Sequence, residues 1–445
     1  MPSRLSPAQL LVVTFSVFIA VGTLLLGLPI AGETERVPLI DSFFTATSAV
    51  CVTGLIVRDT PHAWSAFGEV VVMLLIQVGG LGYMTLSSTI AILLGRRLSL
   101  HERATLQESL NVDTREGITL FAFTIMKTTL AIEIAGALVL GLWWAPTYGL
   151  GRALYLGLFH AVSAFNNAGF SLFSDNLAGH RGDPVVNLVI TTLIILGGIG
   201  FFVMREVWHV RAFRRLTMHT RLVLVITGLL IASATLGLLV LEWANPRTLG
   251  RLGPGERILA AYFQAVTPRT AGFNTIDIGG MTVPSLFLLM ALMFIGAAPG
   301  GTGGGVKIST FGVTVLALWA TVRGEREPVI FGRRIGQETV ARAFFISLIA
   351  FLALNLVAAL ILVAEQRDLL RTLFETTSAF GTVGLSMGHP GSVLSLAGHF
   401  SPVGKLLLAA MMFMGRVGPL TLAIALAARR ERPRLRYPEG RVLIG

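Results

Sequence analysis

Long and short apolar runs follow one another along the chain, with a short run after every first long run of a pair. Eight runs reach the length of about 20 residues that a helix needs to cross a bilayer. Four shorter apolar segments lie between them and are too short to cross. We therefore predict eight transmembrane helices and four re-entrant segments. The long runs cover residues 8–31, 66–94, 117–144, 185–204, 221–244, 283–320, 338–364 and 402–428, and the short segments cover residues 41–53, 154–168, 258–271 and 369–383.

The four short segments repeat one pattern. Each contains a glycine that an aromatic residue precedes by ten positions and that a bulky apolar residue follows. The segments read FTATSAVCVTGL, FHAVSAFNNAGF, YFQAVTPRTAGF and FETTSAFGTVGL, ending at Leu55, Phe170, Phe273 and Leu385. The shared register predicts an all-α integral membrane protein of four pseudo-symmetric repeats around a central pore, each a spanning helix, a re-entrant pore loop and a second spanning helix. The repeats cover residues 1–100, 101–218, 219–325 and 326–445.

The last three positions of each pattern before the bulky residue have the composition of an ion filter. Non-helical backbone at membrane depth must be buried in protein or line a water-filled path. Four copies around one axis can point their carbonyl groups at a shared cation, as in a potassium filter. None of the twelve positions carries a charged side chain, which argues against a carboxylate ring. The candidate ligands are Val52, Thr53, Gly54, Asn167, Ala168, Gly169, Thr270, Ala271, Gly272, Thr382, Val383 and Gly384.

Composition and charge agree with an integral membrane protein. Hydrophobic residues make up 53% of the chain and charged residues 13%, with a mean hydropathy of +0.75. The formal net charge of +11 is concentrated in arginines on the predicted face that carries both termini. The positive-inside rule places that face in the cytoplasm, so the charge requires no nucleic-acid partner. The single cysteine, Cys51, excludes an internal disulfide.

A glycine-rich stretch, APGGTGGGVKIST at 298–310, interrupts the sixth long run. It is a poor phosphate-binding loop, because Val306 separates the last glycine from the lysine. Proline and five glycines instead favour a break in the helix, and the freed backbone must face an aqueous path. We predict a gate at this place, together with a cation near mid-membrane in the last run. The gate residues are Gly300, Gly301, Thr302, Gly303, Gly304, Gly305, Lys307 and Arg416. The other second helices carry at most short glycine pairs, such as Gly197–Gly198, so only the third repeat is expected to supply a mobile plug.

With these motifs the chain resembles the Trk/Ktr/HKT potassium transporter superfamily, and within it the Ktr-type membrane subunits. The resemblance rests on the four filter stretches and on TPRTAGFNT at 267–275, GGTGGGVKIST at 300–310 and GRVGPLTLA at 415–423. It implies potassium uptake across the cytoplasmic membrane, with Gly54 standing where sodium-preferring plant relatives have serine. It also implies a homodimer on a cytoplasmic ring of nucleotide-binding regulatory subunits. Potassium is then the only ligand of this chain, with no organic cofactor, and any nucleotide is expected on the partner.

Basic loops on the cytoplasmic face are the predicted docking surface for that ring. They lie near Arg96–Arg103, Arg205–Arg221 and Arg323–Arg334. A sodium- or proton-coupled carrier of a small solute is the alternative function. Such a carrier should show two repeats and intramembrane carboxylates, so four repeats favour the channel-like translocator.

Two polar residues of the short segments occupy matching positions. Glu375 and His160 each follow the aromatic residue of their segment, and we predict that both are satisfied neighbours within the fold. No nucleophile–base pair and no nucleotide fingerprint is evident in the sequence. We therefore predict that the chain is not an enzyme.

Overall fold

The computed structural model describes residues 6–82, 118–325, 327–389 and 391–426. In this part of the chain, sixteen α-helices account for most residues. They are α1 Pro7–Leu26, α2 Leu39–Val50, α3 Thr60–Ala63, α4 Ala66–Leu81, α5 Ile118–Tyr148, α6 Leu150–Phe165, α7 Pro184–Gly198, α8 Phe201–Val210, α9 Met218–Glu242, α10 Pro254–Val266, α11 Val283–Phe294, α12 Ile308–Val322, α13 Gln337–Glu365, α14 Leu369–Gly381, α15 Pro402–Val417 and α16 Pro419–Leu426. Short 3₁₀ turns at Pro29–Ala31, Ala178–His180, Phe213–Arg215, Ile278–Gly280 and Leu396–His399 lie between them.

One small antiparallel hairpin departs from the predicted all-α class. Strand β1, Val329–Ile330, pairs with β2, Arg333–Arg334, across a turn at Phe331 and Gly332, both of which have positive φ. The hairpin packs through Ile335 onto a small core that includes Val313 and Ala343. Two-residue strands carry too little alternation to be recognised in the sequence.

Four helices are single, long and apolar enough to cross a membrane: α1, α5, α9 and α13. Their apolar side chains face outward along much of their length, as expected for helices in contact with lipid. Polar caps mark where such helices begin: the Ser6 hydroxyl accepts from the Gln9 amide at α1, and the Thr217 hydroxyl accepts from the Thr220 amide at α9. The prediction of a helical membrane protein is confirmed.

Each long helix is followed by a short one that packs against it: α2 against α1, α6 against α5, α10 against α9, and α14 against α13. These short helices coincide with the four short apolar segments of the sequence, and their C-terminal halves are buried. Each short helix then leads into an extended stretch. The boundaries given for the four repeats stay predictions.

The second helices of the second, third and fourth predicted repeats are shorter than expected. Helix α7 ends at Gly198 and meets α8 at an angle of 101°, and α15 meets α16 at 100°. The prediction of single helices over 185–204 and 402–428 is therefore wrong. Gly200 and Gly418 cause the bends, because both have positive φ, and Pro419 starts a new helix directly after the second. The third repeat differs, since residues 295–307 between α11 and α12 form a loop.

Several predicted features lie outside the described residues. They are the distal part of the run 66–94, the loop near Arg96–Arg103, Arg326 and the arginines after residue 426.

Candidate functional site

The four predicted filter stretches meet in one closed ring. Each filter glycine lies so close to the next stretch that an added Cβ would touch a carbonyl oxygen there. The distances are 2.3 Å from Gly54 to Ala168, 2.7 Å from Gly169 to Ala271, 2.3 Å from Gly272 to Val383 and 2.2 Å from Gly384 to Thr53. All twelve residues of the stretches are buried. The structure thus brings together every residue that the sequence assigned to the filter.

The four stretches share one backbone conformation, with positive φ at the first and third residue of each. The first residue of each has a left-handed φ: 51° at Val52, 58° at Asn167, 71° at Thr270 and 49° at Thr382. The glycine two positions later also has positive φ, from 71° at Gly169 to 93° at Gly384. Left-handed residues other than glycine are uncommon and are expected where the backbone serves a function. Four copies of one unusual conformation indicate one shared task.

A hydroxyl group near the end of each short helix holds the stretch that follows. Ser48 Oγ accepts from the Gly54 amide at 3.0 Å, and Ser378 Oγ accepts from the Gly384 amide at 3.1 Å. The hydroxyls of Ser163 and Thr267 instead donate to carbonyl groups just beyond the filter glycines. These four residues were not predicted from the sequence, although a serine six positions before the glycine recurs in three of the four segments.

A cavity of about 1100 Å³ opens above the ring and is lined by all four filter glycines. Its wall contains three aspartates, Asp59, Asp175 and Asp277, and four arginines, Arg181, Arg247, Arg251 and Arg371. These charges do not form an acidic funnel. The cavity wall therefore shows no excess of negative charge that would attract cations.

The glycine-rich loop lies against the other side of the ring. A Cβ on Gly303 would be 1.9 Å from Thr270 Oγ1, and the Gly304 amide donates to Thr382 Oγ1 at 2.9 Å. Residues 302–306 are buried. The loop thus contacts the first residues of the third and fourth filter stretches.

Backbone hydrogen bonds tie this loop to neighbouring helices. The Thr302 amide donates to Gly197 at 3.1 Å, and the Gly305 amide donates to Gly415 at 3.1 Å. The loop ends are held together by a bond from the Gly296 amide to Val306 at 2.8 Å. The helices bend where they meet the loop: Phe201, just after Gly200, donates to Gly300 at 3.1 Å.

The two predicted gate cations bind carbonyl groups, and no carboxylate among the described residues forms an ion pair with either. Lys307 Nζ donates to the Gly303 carbonyl at 2.7 Å, within the loop itself. The Arg416 guanidinium donates to the carbonyl of Thr302 in the loop and to those of Gly79 and Gly80 at the end of α4. Arg416 therefore bridges the loop to a helix of the first repeat, a role that its position in the sequence did not reveal.

Glu375 and His160 are satisfied by hydrogen bonds, as predicted. Glu375 accepts from Ser386 Oγ at 2.6 Å and from the Ala397 amide at 2.9 Å. His160 Nε2 lies 3.0 Å from Ser171 Oγ. In both cases the serine follows the filter glycine by two positions. Each residue therefore stabilises the segment that directly follows its filter glycine.

The chain is similar in sequence to several potassium uptake proteins. The chain is 43% identical over 442 residues to Ktr system potassium uptake protein B of Bacillus subtilis (strain 168), covering 99% of this chain and 97% of the relative. It is 38% identical over 439 residues to Ktr system potassium uptake protein B of Vibrio alginolyticus, covering 98% and 94%. It is 35% identical over 449 residues to the potassium/sodium uptake protein NtpJ of Enterococcus hirae, covering 99% and 98%.

A solved structure and a family description support the same assignment. The fold matches the crystal structure of the potassium transporter TrkH from Vibrio parahaemolyticus with a TM-score of 0.74 at 20% sequence identity, covering 96% of this chain and 86% of that one. Residues 5–435 match the TrkH family, described as cation transport protein. The chain therefore belongs to the TrkH family of cation transport proteins.

Proposed function

We propose that this chain is a channel-like subunit for potassium uptake across the cytoplasmic membrane. The closed ring of four glycine-containing stretches carries the proposal. Its contacts run from each stretch to the next, and its backbone repeats one conformation four times. Such a ring offers carbonyl oxygens in place of the hydration shell of an alkali cation. The names of the relatives, two of them potassium uptake proteins, support potassium as the substrate.

The proposed path has three parts. A hydrated ion enters the outer cavity, loses water at the ring formed by the four re-entrant repeats, and then meets the glycine-rich loop. Lys307 and Arg416 hold that loop in the blocking position through carbonyl groups. The gate opens when the loop moves, which requires breaking these bonds. Potassium is the substrate, and the proposal assigns no organic cofactor to this chain.

Regulation is proposed to come from a partner. The chain is proposed to form a homodimer with both termini in the cytoplasm, seated on a ring of nucleotide-binding subunits. Exposed arginines at Arg211, Arg214 and Arg215 and at the hairpin support a cytoplasmic docking surface. Because the Ktr-type relatives are named as parts of a system, a further subunit is expected.

A coupled carrier is the second candidate, and one observation favours it. Glu133 is a carboxylic acid in the middle of α5 and is only 2% exposed, as an ion-coupling residue would be. Its carboxyl group, however, is bonded to Gln77 and Asn166 and is not part of the cavity wall.

Rubidium flux into proteoliposomes distinguishes the two functions. The purified chain is reconstituted with equal sodium and pH on both sides, and rubidium uptake is driven by a potassium gradient. A channel-like subunit gives passive uptake that continues without any sodium or proton gradient. Uptake that requires such a gradient, or that a small solute abolishes by competition, would contradict the proposal and favour the carrier.

A further inference from the structure

A buried polar cluster lies behind the second filter stretch. Asn166 Nδ2 donates to Glu133 Oε1 at 2.8 Å and to Gln77 Oε1 at 3.0 Å, and Gln77 Nε2 donates to Glu133 Oε2 at 3.1 Å. Every pair among the three side chains is therefore hydrogen bonded. A carboxyl group inside a membrane protein is costly unless such bonds compensate for the lost water, so the place of this cluster calls for an explanation.

One end of the cluster fixes the turn into the filter. Asn166 caps the C-terminus of α6, and the next residue, Asn167, begins the second filter stretch with a φ of 58°. The Asn167 amide group in turn lies 2.9 Å from Thr270 Oγ1, in the third stretch. The bonds of Asn166 thus hold the point from which the second stretch leaves its helix.

The other end of the cluster reaches the glycine-rich loop. Gln77 lies in the last turns of α4, whose Gly79 and Gly80 carbonyls accept from Arg416. Gly80 packs directly on Asn166, since an added Cβ would be 2.0 Å from its Oδ1. A shift of Asn166 or Gln77 therefore displaces the carbonyl groups that hold Arg416.

These contacts form a closed circuit. Arg416 donates to the Thr302 carbonyl, and Thr302 Oγ1 donates to the Phe165 carbonyl at 3.2 Å. Phe165 directly precedes Asn166 in the chain. The loop is thus bound both to the filter turn itself and, through Arg416 and α4, to the cluster behind that turn.

From this circuit we propose that Glu133, Gln77 and Asn166 are positioning residues that couple the ion preference of the second filter stretch to the position of the glycine-rich loop. The proposal rests on the proposed function. Glu133 supplies the two acceptors that orient both amide groups, because a carboxylate accepts at each oxygen whereas an amide accepts at only one. Without it, the two amide groups lose their common partner, and the filter turn and the end of α4 are free to shift.

Exchange of the two side chains between helices tests the proposal. Glu133→Gln and Gln77→Glu each disrupt the cluster, the first by pairing donors with donors and the second by placing two carboxyl groups together. The double variant carries the same groups in reversed places and restores every bond. We expect each single variant to raise the sodium-to-potassium permeability ratio by about fivefold, the factor given by one lost hydrogen bond. The double variant should return to within about twofold of the wild-type ratio, as restored pairing requires.

Coupling to the loop gives a second readout. If the cluster acts on the loop through Arg416, Glu133→Gln should add little to the rubidium flux of Arg416→Ala, because both changes release the same contact. Additive effects would overturn the coupling. Glu242→Gln is the matched control, since Glu242 is a buried acid that bonds Thr248 and Thr282 far along the chain from this cluster. Its permeability ratio should equal that of the wild type.

The remaining outcomes are also decisive. Folded single variants with the wild-type ratio, or a folded double variant that keeps a raised ratio, would overturn the proposal. If the singles do not fold, the double variant and Asn166→Ala carry the test, and a wild-type ratio in Asn166→Ala refutes the role of the cluster. A wild-type chain that itself shows no preference for potassium would instead overturn the proposed function.

Discussion

The four filter glycines have no room for a side chain, so a substitution at any of them is expected to distort the ring. We predict that Gly54→Ser and Gly384→Ser raise the sodium-to-potassium permeability ratio by about tenfold, which corresponds to about 1.4 kcal/mol of lost discrimination. At Gly54 a Cβ would be 2.3 Å from the Ala168 carbonyl oxygen, and at Gly384 it would be 2.2 Å from that of Thr53. Since both oxygens are backbone atoms, the ring has to widen or deform. Bi-ionic flux of rubidium and sodium in proteoliposomes measures the ratio.

Gly149→Ser is the control for these two variants. Gly149 also has a positive φ, 75°, but a Cβ there meets nothing within 4 Å. It therefore carries the same kind of backbone strain without touching the ring, and its permeability ratio should not change. Normal selectivity in Gly54→Ser and Gly384→Ser, in protein that folds, would show that these glycines serve packing alone.

Arg416 joins three carbonyl groups from two separate parts of the chain, and this bridge predicts how its replacement acts. Arg416→Ala should raise rubidium flux in the absence of any regulatory partner by about tenfold, because the loop loses charge-assisted hydrogen bonds that each contribute about 1.5–3 kcal/mol. Arg416→Lys should raise it nearly as much, since a single ammonium group cannot span both sides as a guanidinium does. If Arg416→Ala raises the flux but Arg416→Lys does not, the positive charge and not the bridging geometry of the guanidinium holds the loop. Wild-type flux in both would exclude Arg416 from the gate.

The glycine-rich loop can be tested as an element because its ends lie together. The bond between Gly296 and Val306 allows residues 300–305 to be deleted with little strain on α11 and α12. We predict that this deletion gives high rubidium flux without a partner. Gly303→Ala should act in the same direction but less strongly, because its Cβ would be 1.9 Å from Thr270 Oγ1 and would push the loop away from the ring.

Gly312→Ala, in the helix that follows the loop, is the control for this pair. The nearest atom to its added Cβ is Ile226 Cδ1, the end of a flexible side chain, at 2.3 Å. It should therefore leave the flux unchanged. If the deletion variant folds and conducts no better than the wild type, the loop does not close the path.

The helices show which parts of this architecture the sequence determines. The long apolar runs and the four short segments were predictable because length and register alone define them. The bends at Gly200 and Gly418 were not, since a single glycine inside an apolar run reads equally well as a packing residue. At the first bend a tertiary contact adds to the effect of the positive φ: at Gly200, an added Cβ would lie 2.7 Å from the Pro299 carbonyl oxygen in the loop.

The candidate site also has features that the sequence predicts and features that it does not. The filter stretches were predictable from their fourfold register. The partners of Arg416, Gln77 and Asn166 were not, because they join residues hundreds of positions apart or on three different helices. No periodicity in the sequence connects Gly79 to Arg416. Contacts of this kind become visible only when the repeats are assembled.

The proposed docking loops that the structure describes, near Arg214 and at the hairpin, form one connected basic surface. Arg221, at the start of α9, lies over the ring of Phe331 in the hairpin at 4.6 Å, and the hairpin itself is anchored in a small core. Around this contact, exposed arginines include Arg214, Arg215 and Arg333. This contact and the small core fix the two loops relative to each other.

Charge reversal on this surface is expected to uncouple the chain from its partner. We predict that the purified chain alone shows no stimulation of rubidium flux by ATP, and that stimulation appears when the regulatory subunit is added. The double change Arg214→Glu and Arg215→Glu should weaken binding of that subunit by about tenfold or more, because it replaces two positive charges of the proposed docking surface by two negative ones. Arg36→Glu, an exposed arginine in the loop between α1 and α2, is the control and should bind normally. Co-purification and ATP-dependent flux measure both effects. Full stimulation of the isolated chain by ATP would place the nucleotide site in this protein and contradict the proposal that a partner binds the nucleotide. Normal binding of the regulatory subunit by the charge-reversed variant would mean that the docking surface lies on another part of the cytoplasmic face.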